Sequence, residues 1–342
     1  MTVVSIDNRP NVMVSLIIPV HNEETAIAPF LSAVHETVDP LRARGIDFEF
    51  LFVNDGSRDT TLEQLIEAQH RDNRIRILDL SRNFGKEAAM TAGLDACRGD
   101  AAIPIDVDLQ DPPTLIPLLV GKWREGFDVV LARRCDRSSD SYMKRQTATL
   151  FYRLHNLIAS QEIPRNVGDF RLVDRQVIEA LKRLPERRRF MKGLFAWVGY
   201  RTAVIDYVRD ARVSGTSKFS GWKLWNFALE GITSFSTVPL EIWTYIGGVI
   251  SVGSFAYGAF TIIKTVFLGI DVPGYASLLV SMLFLGGIQL VGIGILGQYL
   301  GRVYNEIKQR PIYLLRQDIE APAAPDNLVA MDAMLRRSAD QP

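Results

Sequence analysis

Residues 12–20 read VMVSLIIPV, and the polar residues HNEE follow directly at 21–24. The apolar run is rich in β-branched residues, which is typical of a buried strand. The same order, an apolar run and then a polar cluster, recurs along the chain up to residue 137, and helical patterns separate the runs. Alternation of this kind predicts an α/β domain with a mostly parallel sheet and helices on both of its faces.

A polar cluster ends each predicted strand. The five clusters are HNEE (21–24), NDGSRDT (54–60), SRNFGKE (81–87), DVDLQDPP (106–113) and RRCDR (133–137). In open α/β sheets, ligands bind beyond the carboxyl ends of the strands. The clusters therefore predict one ligand-binding site at that edge of the sheet.

Asp106, Asp108 and Gln110 stand two residues apart after the fourth predicted strand. In an extended segment their side chains would point the same way. Their hard oxygens suit Mg²⁺ or Mn²⁺. Such an ion could bridge a diphosphate and neutralise charge on it as a leaving group. We predict a divalent metal site here; a solvated acidic turn is the alternative.

Two more positions at strand ends suit a nucleotide. Asp55 is placed to hydrogen-bond a base or a ribose, although a helix-capping turn formed with Ser57 or Asp59 is an alternative. Lys86 begins a predicted helix beside Gly85, where its charge could meet a phosphate, and a solvated lysine is the alternative.

Basic residues indicate a second anion site. Arginine suits bidentate phosphate contacts, and a tight turn at Gly215 and Ser217 could direct backbone N–H groups at an anion. Solvated or lipid-facing cations are the alternative. The basic residues are Arg133, Arg134, Arg137, Arg212 and Lys218.

Asp169 lies in the segment GDFR (168–171) and could act as a base or orient an acceptor. A structural pair with Arg171 is the alternative. A phosphate acceptor is already an anion near neutral pH, so positioning and a metal could suffice without a strong base.

Two stretches, 242–263 and 272–301, contain no charged residue. A helix of about 20 apolar residues crosses a bilayer, so both stretches predict membrane spans joined as a hairpin; a buried hairpin in a soluble core is the alternative. Lysine and arginine flank the pair on the outside, which predicts that both termini and the α/β domain are cytoplasmic.

These patterns divide the chain into five parts. A short extension covers 1–11, the α/β domain 12–215, interfacial amphipathic helices 216–240, the membrane hairpin 241–301, and a partly disordered cytoplasmic segment 302–342, with disorder expected after about Arg316. Aromatic residues and lysines mix within 216–240, as in helices of the membrane interface. An amphipathic helix on the soluble core is the alternative there.

Composition excludes several classes of protein. Lysine and arginine number 39 against 39 aspartates and glutamates, so no overall charge attracts nucleic acid. Cys97 and Cys135 form neither a disulfide framework nor a zinc site. Residues 1–15 lack a basic start followed by an apolar run, so we expect no cleavable signal peptide.

Taken together, the motifs resemble a known family. PVHNEE (19–24), VNDGS (53–57) and DVDLQDPP (106–113) are similar to motifs of family 2 glycosyltransferases with the GT-A fold, which is Rossmann-like. NFGK (83–86), GDFRL (168–172), residues 212–218 and a hairpin ending in GRVYNE (301–306) resemble the polyisoprenyl-phosphate branch. That branch includes bactoprenol glucosyltransferases and, more distantly, dolichol-phosphate mannose synthase. The resemblance covers roughly residues 12–316.

The resemblance implies an inverting, metal-dependent transfer of a sugar, most often glucose or a related hexose. The donor would be a UDP-sugar, and the acceptor undecaprenyl or another polyprenyl phosphate. Transfer would occur at the cytoplasmic face of the inner membrane, for cell-envelope glycan or lipopolysaccharide modification. Family members often form tetramers, so a homo-oligomer is expected.

The resemblance also implies roles for single residues. His21 stands where relatives often have tyrosine, so base stacking is not assumed there. The nucleotide-sugar would be bound by Pro19, His21, Asn22, Glu23, Asp55, Lys86 and Asp106; the metal by Asp106, Asp108 and Gln110; and the acceptor phosphate by Arg134, Arg137, Arg212, Ser217 and Lys218, with Asp108 and Asp169 as the catalytic pair.

Two other functions share some of these sequence features. A processive polysaccharide synthase shares the fold and the donor, but the sequence lacks the Q-x-x-R-W motif and the further spans usual in those enzymes. A non-catalytic nucleotide-sugar-binding membrane protein would not need the pair Asp106 and Asp108 together with Arg212 and Lys218. The sequence does not identify the sugar.

Overall fold

The structure, a computed structural model, describes residues 11–134, 167–187, 189, 191–207, 238–268 and 274–320. The chain forms two compact units. The first comprises residues 1–146, 163–216 and 311–342, and the second comprises 147–162 and 217–310.

The first unit is built on a sheet in which the described residues form eight strands, in the order β7-β5-β6-β4-β1-β2-β3-β8. Four neighbouring pairs are parallel, namely β1 with β2, β1 with β4, β2 with β3 and β5 with β7. The strands are β1 (Val12–Val20), β2 (Ile46–Asn54), β3 (Ile75–Leu80), β4 (Ala101–Pro104), β5 (Val129–Arg134), β6 (Val167–Asp174), β7 (Thr202–Tyr207) and β8 (Leu315–Ile319).

Helices connect most of these strands, as the alternating pattern predicts. A short 3₁₀ turn, Pro113–Leu115, precedes the fourth helix. The helices of this unit are α1 (Ile27–Arg42), α2 (Thr61–Arg71), α3 (Lys86–Ala96), α4 (Ile116–Arg124), α5 (Arg175–Lys182) and α6 (Met191–Trp197). The α/β fold with a mostly parallel sheet is therefore confirmed.

The central strand β1 is buried on both faces. Successive side chains of a strand point to opposite sides, so neighbouring residues of β1 pack against different helices. Leu16 lies in the same core cluster as Phe30 of α1 and Phe52 of β2, and the two phenylalanine rings meet edge to face at 6.2 Å. Ile17 faces the other side, where α3 packs. A Cβ added at Gly93 of α3 would lie 2.2 Å from Ile17 Cγ2, so glycine permits this close packing.

Strand β6 brings a later part of the chain to the functional edge of the sheet. It lies between β4 and β5 and runs antiparallel to both. Because β6 runs in the opposite direction, its first residues lie at the edge where the parallel strands end. Asp169 thereby comes close to the segment that follows β4.

The C-terminal strand β8 is a finding that the sequence patterns did not indicate. It pairs antiparallel with β3, with Asp79 opposite Gln317. Arg76 donates to both carboxylate oxygens of Asp318, at 2.9 and 2.6 Å. The expected disorder after about Arg316 is therefore wrong for residues 317–319. An edge strand held by backbone pairing and ion pairs needs no apolar run, so its sequence resembles a loop.

The second unit contains two long helices, α7 (Val238–Leu268) and α8 (Tyr275–Ile307). Gly292 of α8 lies against the indole of Trp243, since an added Cβ would be 2.1 Å from Nε1. Within the described residues, Phe284–Ile307 is the segment whose length and apolar composition would allow it to cross a membrane. The two-span hairpin stays a prediction. The predicted interfacial helices lie outside the described residues, apart from 238–240, which begin α7.

Candidate active site

A cleft of about 350 Å³ lies at the carboxyl ends of β1, β2 and β4. A cleft of this size matches the lower range of small-molecule sites. It brings together most of the predicted nucleotide and metal residues, although Asn22 and Gln110 are not among the residues that line it. The lining residues are Pro19, Val20, His21, Glu23, Asp55, Asn83, Gly85, Lys86, Ala89, Asp106, Val107 and Asp108.

Asp55 is buried and fixes one wall of the cleft. Its Oδ1 accepts the N–H of Phe84 at 2.7 Å and its Oδ2 accepts the N–H of Gly85 at 2.9 Å. The turn at the start of α2 uses Asp59, whose Oδ1 accepts the N–H of Thr61 at 3.1 Å. Asp55 therefore orders the loop before α3, and its contact with a nucleotide stays a prediction.

The loop after β1 is joined to the loop after β2. His21 Nδ1 lies 2.9 Å from the carbonyl oxygen of Asp55, which assigns the proton to Nδ1. Asn22 has a positive φ of 54°, a conformation that asparagine tolerates. Its Oδ1 accepts the N–H of Arg58 at 2.8 Å, and its own N–H donates to Ser57 Oγ at 3.0 Å. Asn22 thus connects the two loops.

Lys86 is paired with two carboxylates, while its side chain is 43% exposed to solvent. Its Nζ lies 2.7 Å from Asp106 and 3.0 Å from Asp169 Oδ2. Burial disfavours the ammonium charge, but Asp106 and Asp169 outweigh this and raise the pKa of Lys86. Lys86 is therefore a permanently protonated group that lines the cleft.

Asp169 is an ion-paired carboxylate. Lys192 Nζ lies 3.9 Å from its Oδ1, in addition to Lys86. Burial acts to raise the pKa of Asp169, but Lys192 and Lys86 together lower it. Its partners here are lysines, while Arg171 donates to the carbonyl of Gly168 at 2.7 Å. A carboxylate with a lowered pKa is a weak base, so this environment favours an orienting role.

The segment that carries the predicted metal ligands is not extended. Strand β4 ends at Pro104, and residues 107–110 form turns and bends in which Leu109 has a φ of 55°. Asp108 Oδ1 accepts the N–H of Gln110 at 3.1 Å. The assumption of an extended segment is therefore wrong, yet Asp106 and Asp108 both reach the cleft. The turn brings them together where strand alternation was expected to do so.

The carboxylates of the cleft, among the described residues, are too few and too dispersed to form a complete set of metal ligands. Within the part of the chain that the structure describes, no three or more histidine, cysteine, aspartate or glutamate side chains are grouped to hold a metal ion. Burial and the nearby negative charges of Asp108, Asp59 and Asp106 raise the pKa of Glu23. The cleft is thus rich in negative charge, and a bound cation would share ligands with a substrate.

Arg134 is held in a buried group at the end of β5. Its Nη2 lies 3.2 Å from Asp111 Oδ1, and its Nε lies 3.0 Å from the hydroxyl of Tyr207. The Tyr207 hydroxyl also donates to Asp111. Burial and the charge of Asp111 raise the pKa of Tyr207 to about 12. The other predicted phosphate residues, Arg137, Arg212, Ser217 and Lys218, lie outside the described residues.

Sequence reasoning missed three residues near the site, namely Glu87, Lys192 and Tyr207. Glu87 Oε2 accepts the N–H of Met191 at 3.1 Å and joins α3 to α6. Burial, with a contribution from Asp169, raises the pKa of Glu87 to about 7. The motif SRNFGKE contains Glu87 and could have drawn attention to it. Lys192 and Tyr207 carry no local signal, because only the fold brings them to the site.

Comparison with known proteins extends this picture. Residues 15–182 match the model of glycosyl transferase family 2. The SfII prophage-derived bactoprenol glucosyl transferase of Shigella flexneri is 55% identical over 305 residues, which are 89% of this chain and 97% of that protein. An uncharacterised glycosyltransferase of Synechocystis is 54% identical over 301 residues, 88% of this chain and 94% of its own.

Among solved structures, the chain is similar to glucosyl-3-phosphoglycerate synthase from Mycobacterium tuberculosis in complex with Mn²⁺, UDP and phosphoglyceric acid. The sequence identity is 23%, the match covers 60% of this chain and 72% of that one, and the TM-score is 0.44.

These relatives identify the protein with the mostly parallel sheet and the acidic cleft as a glycosyltransferase. This chain belongs to glycosyl transferase family 2. The expected family is therefore confirmed.

Proposed function

We propose that this protein transfers a sugar, glucose or a related hexose, from a UDP-sugar to a polyprenyl phosphate such as undecaprenyl phosphate. The observation that carries the proposal is 55% identity to bactoprenol glucosyl transferases over 89% of the chain. The product would be a lipid-linked sugar for cell-envelope glycan or lipopolysaccharide modification.

The cleft supports binding of the nucleotide-sugar. It lies at the carboxyl edge of the sheet, where ligands of such folds bind. Pro19, His21, Glu23 and Asp55 contribute to the wall at the ends of β1 and β2, and Lys86 and Asp106 contribute to the wall at β4 and α3. In this arrangement the nucleoside lies along the wall at β1 and β2, and its diphosphate lies against the wall at β4 and α3.

The acidic residues fit a divalent metal that is shared with the diphosphate. Asp106 and Asp108 supply hard oxygen ligands, and Gln110 follows in the turn that contains Asp108. Magnesium is usually held by one or two carboxylates together with substrate phosphates, which matches this incomplete set. When bound, Mg²⁺ or Mn²⁺ would neutralise the charge that develops on the leaving nucleoside diphosphate.

The acceptor side is proposed from the basic residues. A phosphate oxygen of the lipid attacks the anomeric carbon opposite the leaving UDP, which inverts the configuration. Arg134 is proposed to contact the lipid phosphate from the end of β5, together with Arg137, Arg212, Ser217 and Lys218. Asp169 orients the reacting groups, since its two lysine partners make it a weak base.

The proposal includes the setting of the enzyme. The domain boundaries given above, a two-span hairpin formed by α7 and α8, cytoplasmic termini and a homo-oligomer belong to it. Crosslinking in membranes tests the oligomer: bands at two to four times the monomer mass are expected, and monomer alone would contradict it.

The reaction is tested with the purified, detergent-solubilised chain, undecaprenyl phosphate, Mg²⁺ or Mn²⁺ and a panel of UDP-sugars. Mass spectrometry should detect one lipid-linked sugar, formed only when metal is present. UDP release that needs a glycan primer would indicate a polysaccharide synthase instead. Nucleotide binding by calorimetry without any product would indicate a non-catalytic binding protein.

A further inference from the structure

Lys86 shares a carboxylate with the proposed metal. Its Nζ lies 2.7 Å from Asp106 and 3.0 Å from Asp169. Asp106 also lines the cleft, as does Asp108. Lys86 is the only lysine or arginine among the described residues that line the cleft. A lysine ammonium and a divalent cation therefore compete for the same oxygens of Asp106.

The backbone of Lys86 is held in place by the loop before it. Both oxygens of Asp55 accept N–H groups of that loop, from Phe84 and Gly85. Gly85 has a φ of 98° and precedes Lys86, the first residue of α3. The carbonyl of Gly85 accepts the N–H of Ala89 at 3.1 Å. Only the flexible side chain of Lys86 is free to choose between carboxylates.

The cleft has more negative charge than Lys86 can balance. Glu23 and Asp108 line it together with Asp106 and Asp55. Lys192 lies beyond the lining, 3.9 Å from Asp169. This excess of negative charge favours the binding of a further cation. Asp106 is already paired with Lys86 when that cation arrives.

Building on the proposed function, we propose that Lys86 is a positioning residue that pairs with Asp106 until the divalent metal binds. Asp169 then retains the ammonium group when the metal takes Asp106. The two distances, 2.7 and 3.0 Å, allow this exchange without a movement of α3. Asp169 thereby has a role that requires no proton transfer.

The test is a titration of the full detergent-solubilised chain with Mn²⁺ at saturating UDP, in which free Mn²⁺ is measured by electron paramagnetic resonance. Lys86→Met should tighten Mn²⁺ binding roughly tenfold, because Asp106 loses its competing partner. Asp169→Asn should weaken it roughly tenfold, because Lys86 then pairs with Asp106 alone. Lys122→Met is the matched control, since Lys122 on α4 pairs with Glu125 just after that helix, and wild-type affinity is expected.

A purely electrostatic effect of the two charges would also tighten Mn²⁺ binding in Lys86→Met and weaken it in Asp169→Asn. The double variant distinguishes that effect from competition for Asp106. If Lys86 competes for Asp106, Asp169→Asn should have only a small effect, less than about threefold, in the Lys86→Met background. Equal effects of Asp169→Asn in both backgrounds would overturn the inference. Lys86→Gln provides a second background, and the thermal unfolding midpoint checks that each variant is folded.

Failure of this inference can be distinguished from failure of the proposed function. If the wild type binds no Mn²⁺ with UDP, the metal in the proposed function is wrong, and the inference fails with it. If the wild type binds Mn²⁺ and Lys86→Met binds it no more tightly, the inference alone is overturned.

Discussion

At the scale of single residues, the cleft is built from carboxylates with different tasks. Asp55 holds a loop through two backbone N–H groups, whereas Asp106 pairs with Lys86. Asp108 accepts one N–H within its own turn and lines the cleft. Its position makes Asp108 the clearest residue for testing the metal.

Asp108→Ala should lower turnover by roughly 100-fold or more, because a charge that stabilises the leaving group is lost. Folding and membrane insertion should be unchanged. Lipid-linked sugar formed per minute is the measurement, and Asp47→Ala, an exposed carboxylate at the start of β2, is the control. Normal turnover of Asp108→Ala would refute the metal assignment.

Gly56 is required where the loop after β2 meets the loop after β3. It has a φ of 61°, and an added Cβ would lie 2.4 Å from the backbone carbon of Arg82. Gly56→Ala should cost about 1–3 kcal/mol of stability and weaken UDP binding, because the loop containing Asn83 and Gly85 must move. Thermal unfolding and calorimetry measure both effects.

Gly121→Ala is the control for this substitution, since Gly121 lies in α4 and nothing stands within 4 Å of an added Cβ. Alanine is the better helix former, so no loss of stability is expected. Equal thermal midpoints for Gly56→Ala and the wild type would show that the loop adapts.

At the scale of elements, α6 is anchored to α3 by a carboxyl group. Glu87 accepts the N–H of Met191, and the next residue, Lys192, approaches Asp169. The contact therefore connects the start of α6 to the edge of the cleft. Because burial raises the pKa of Glu87, the stability of the fold should depend on pH through this residue.

Burial, with a contribution from Asp169, raises the pKa of Glu87 from 4.5 to about 7. A raised folded-state pKa contributes stability below the unfolded value, and that contribution is lost as pH rises. The thermal midpoint of the wild type, relative to Glu87→Gln, should therefore fall between pH 4.5 and 7 and then level off. Thermal midpoints of the wild type and Glu87→Gln that change in parallel with pH would contradict the raised pKa of Glu87.

Strand β8 attaches the chain after α8 to the edge of the sheet. Gln69 Nε2 donates to the carbonyls of both Ile75 and Ile319, at 2.9 Å each. Tyr313 donates to Asp95 at 3.0 Å, close to the end of α3. These contacts make residues 313–319 part of the first unit, which contains the sheet.

Asp318→Ala should lower stability by about 1–2 kcal/mol, because two charge-assisted hydrogen bonds with Arg76 are lost. Amide hydrogen exchange of β3 should speed up. Glu67→Ala removes an exposed helix pair with Arg71 and should change stability by only a few tenths of a kcal/mol. Unchanged exchange in β3 would show that β8 contributes little.

At the scale of the whole molecule, the sequence runs from the sheet through α7 and α8 and back to the sheet. A chain that crosses a membrane twice returns to the side where it began, and this agrees with β8 joining the sheet of the first unit. The two-span topology stays a prediction, and the pairing of β8 with β3 is compatible with it.

The topology is tested with reporters in bacteria. Alkaline phosphatase fused after residue 271, in the connection between the two helices, should be active, because that point is predicted to lie outside. Green fluorescent protein fused to the C-terminus should fluoresce, because that end is predicted to be cytoplasmic. An inactive phosphatase fusion, expressed at the level of the fluorescent one, would contradict two spans.

The sequence by itself determined the α/β class, and it predicted most of the residues that line the candidate cleft at the carboxyl edge of the sheet. It could do so because strand periodicity and the polar clusters at strand ends are local properties. The clusters containing Asp55, Lys86 and Asp106 were found in this way, and all three residues line the cleft.

Only the tertiary structure decided which charges meet. Asp169 reaches Lys86 because β6 runs antiparallel, Tyr207 reaches Arg134 because β7 pairs with β5, and β8 closes the far edge by pairing with β3. These contacts join residues that are far apart in the chain, so no local pattern encodes them. Ion pairs depend on distance and burial, and the fold alone sets both.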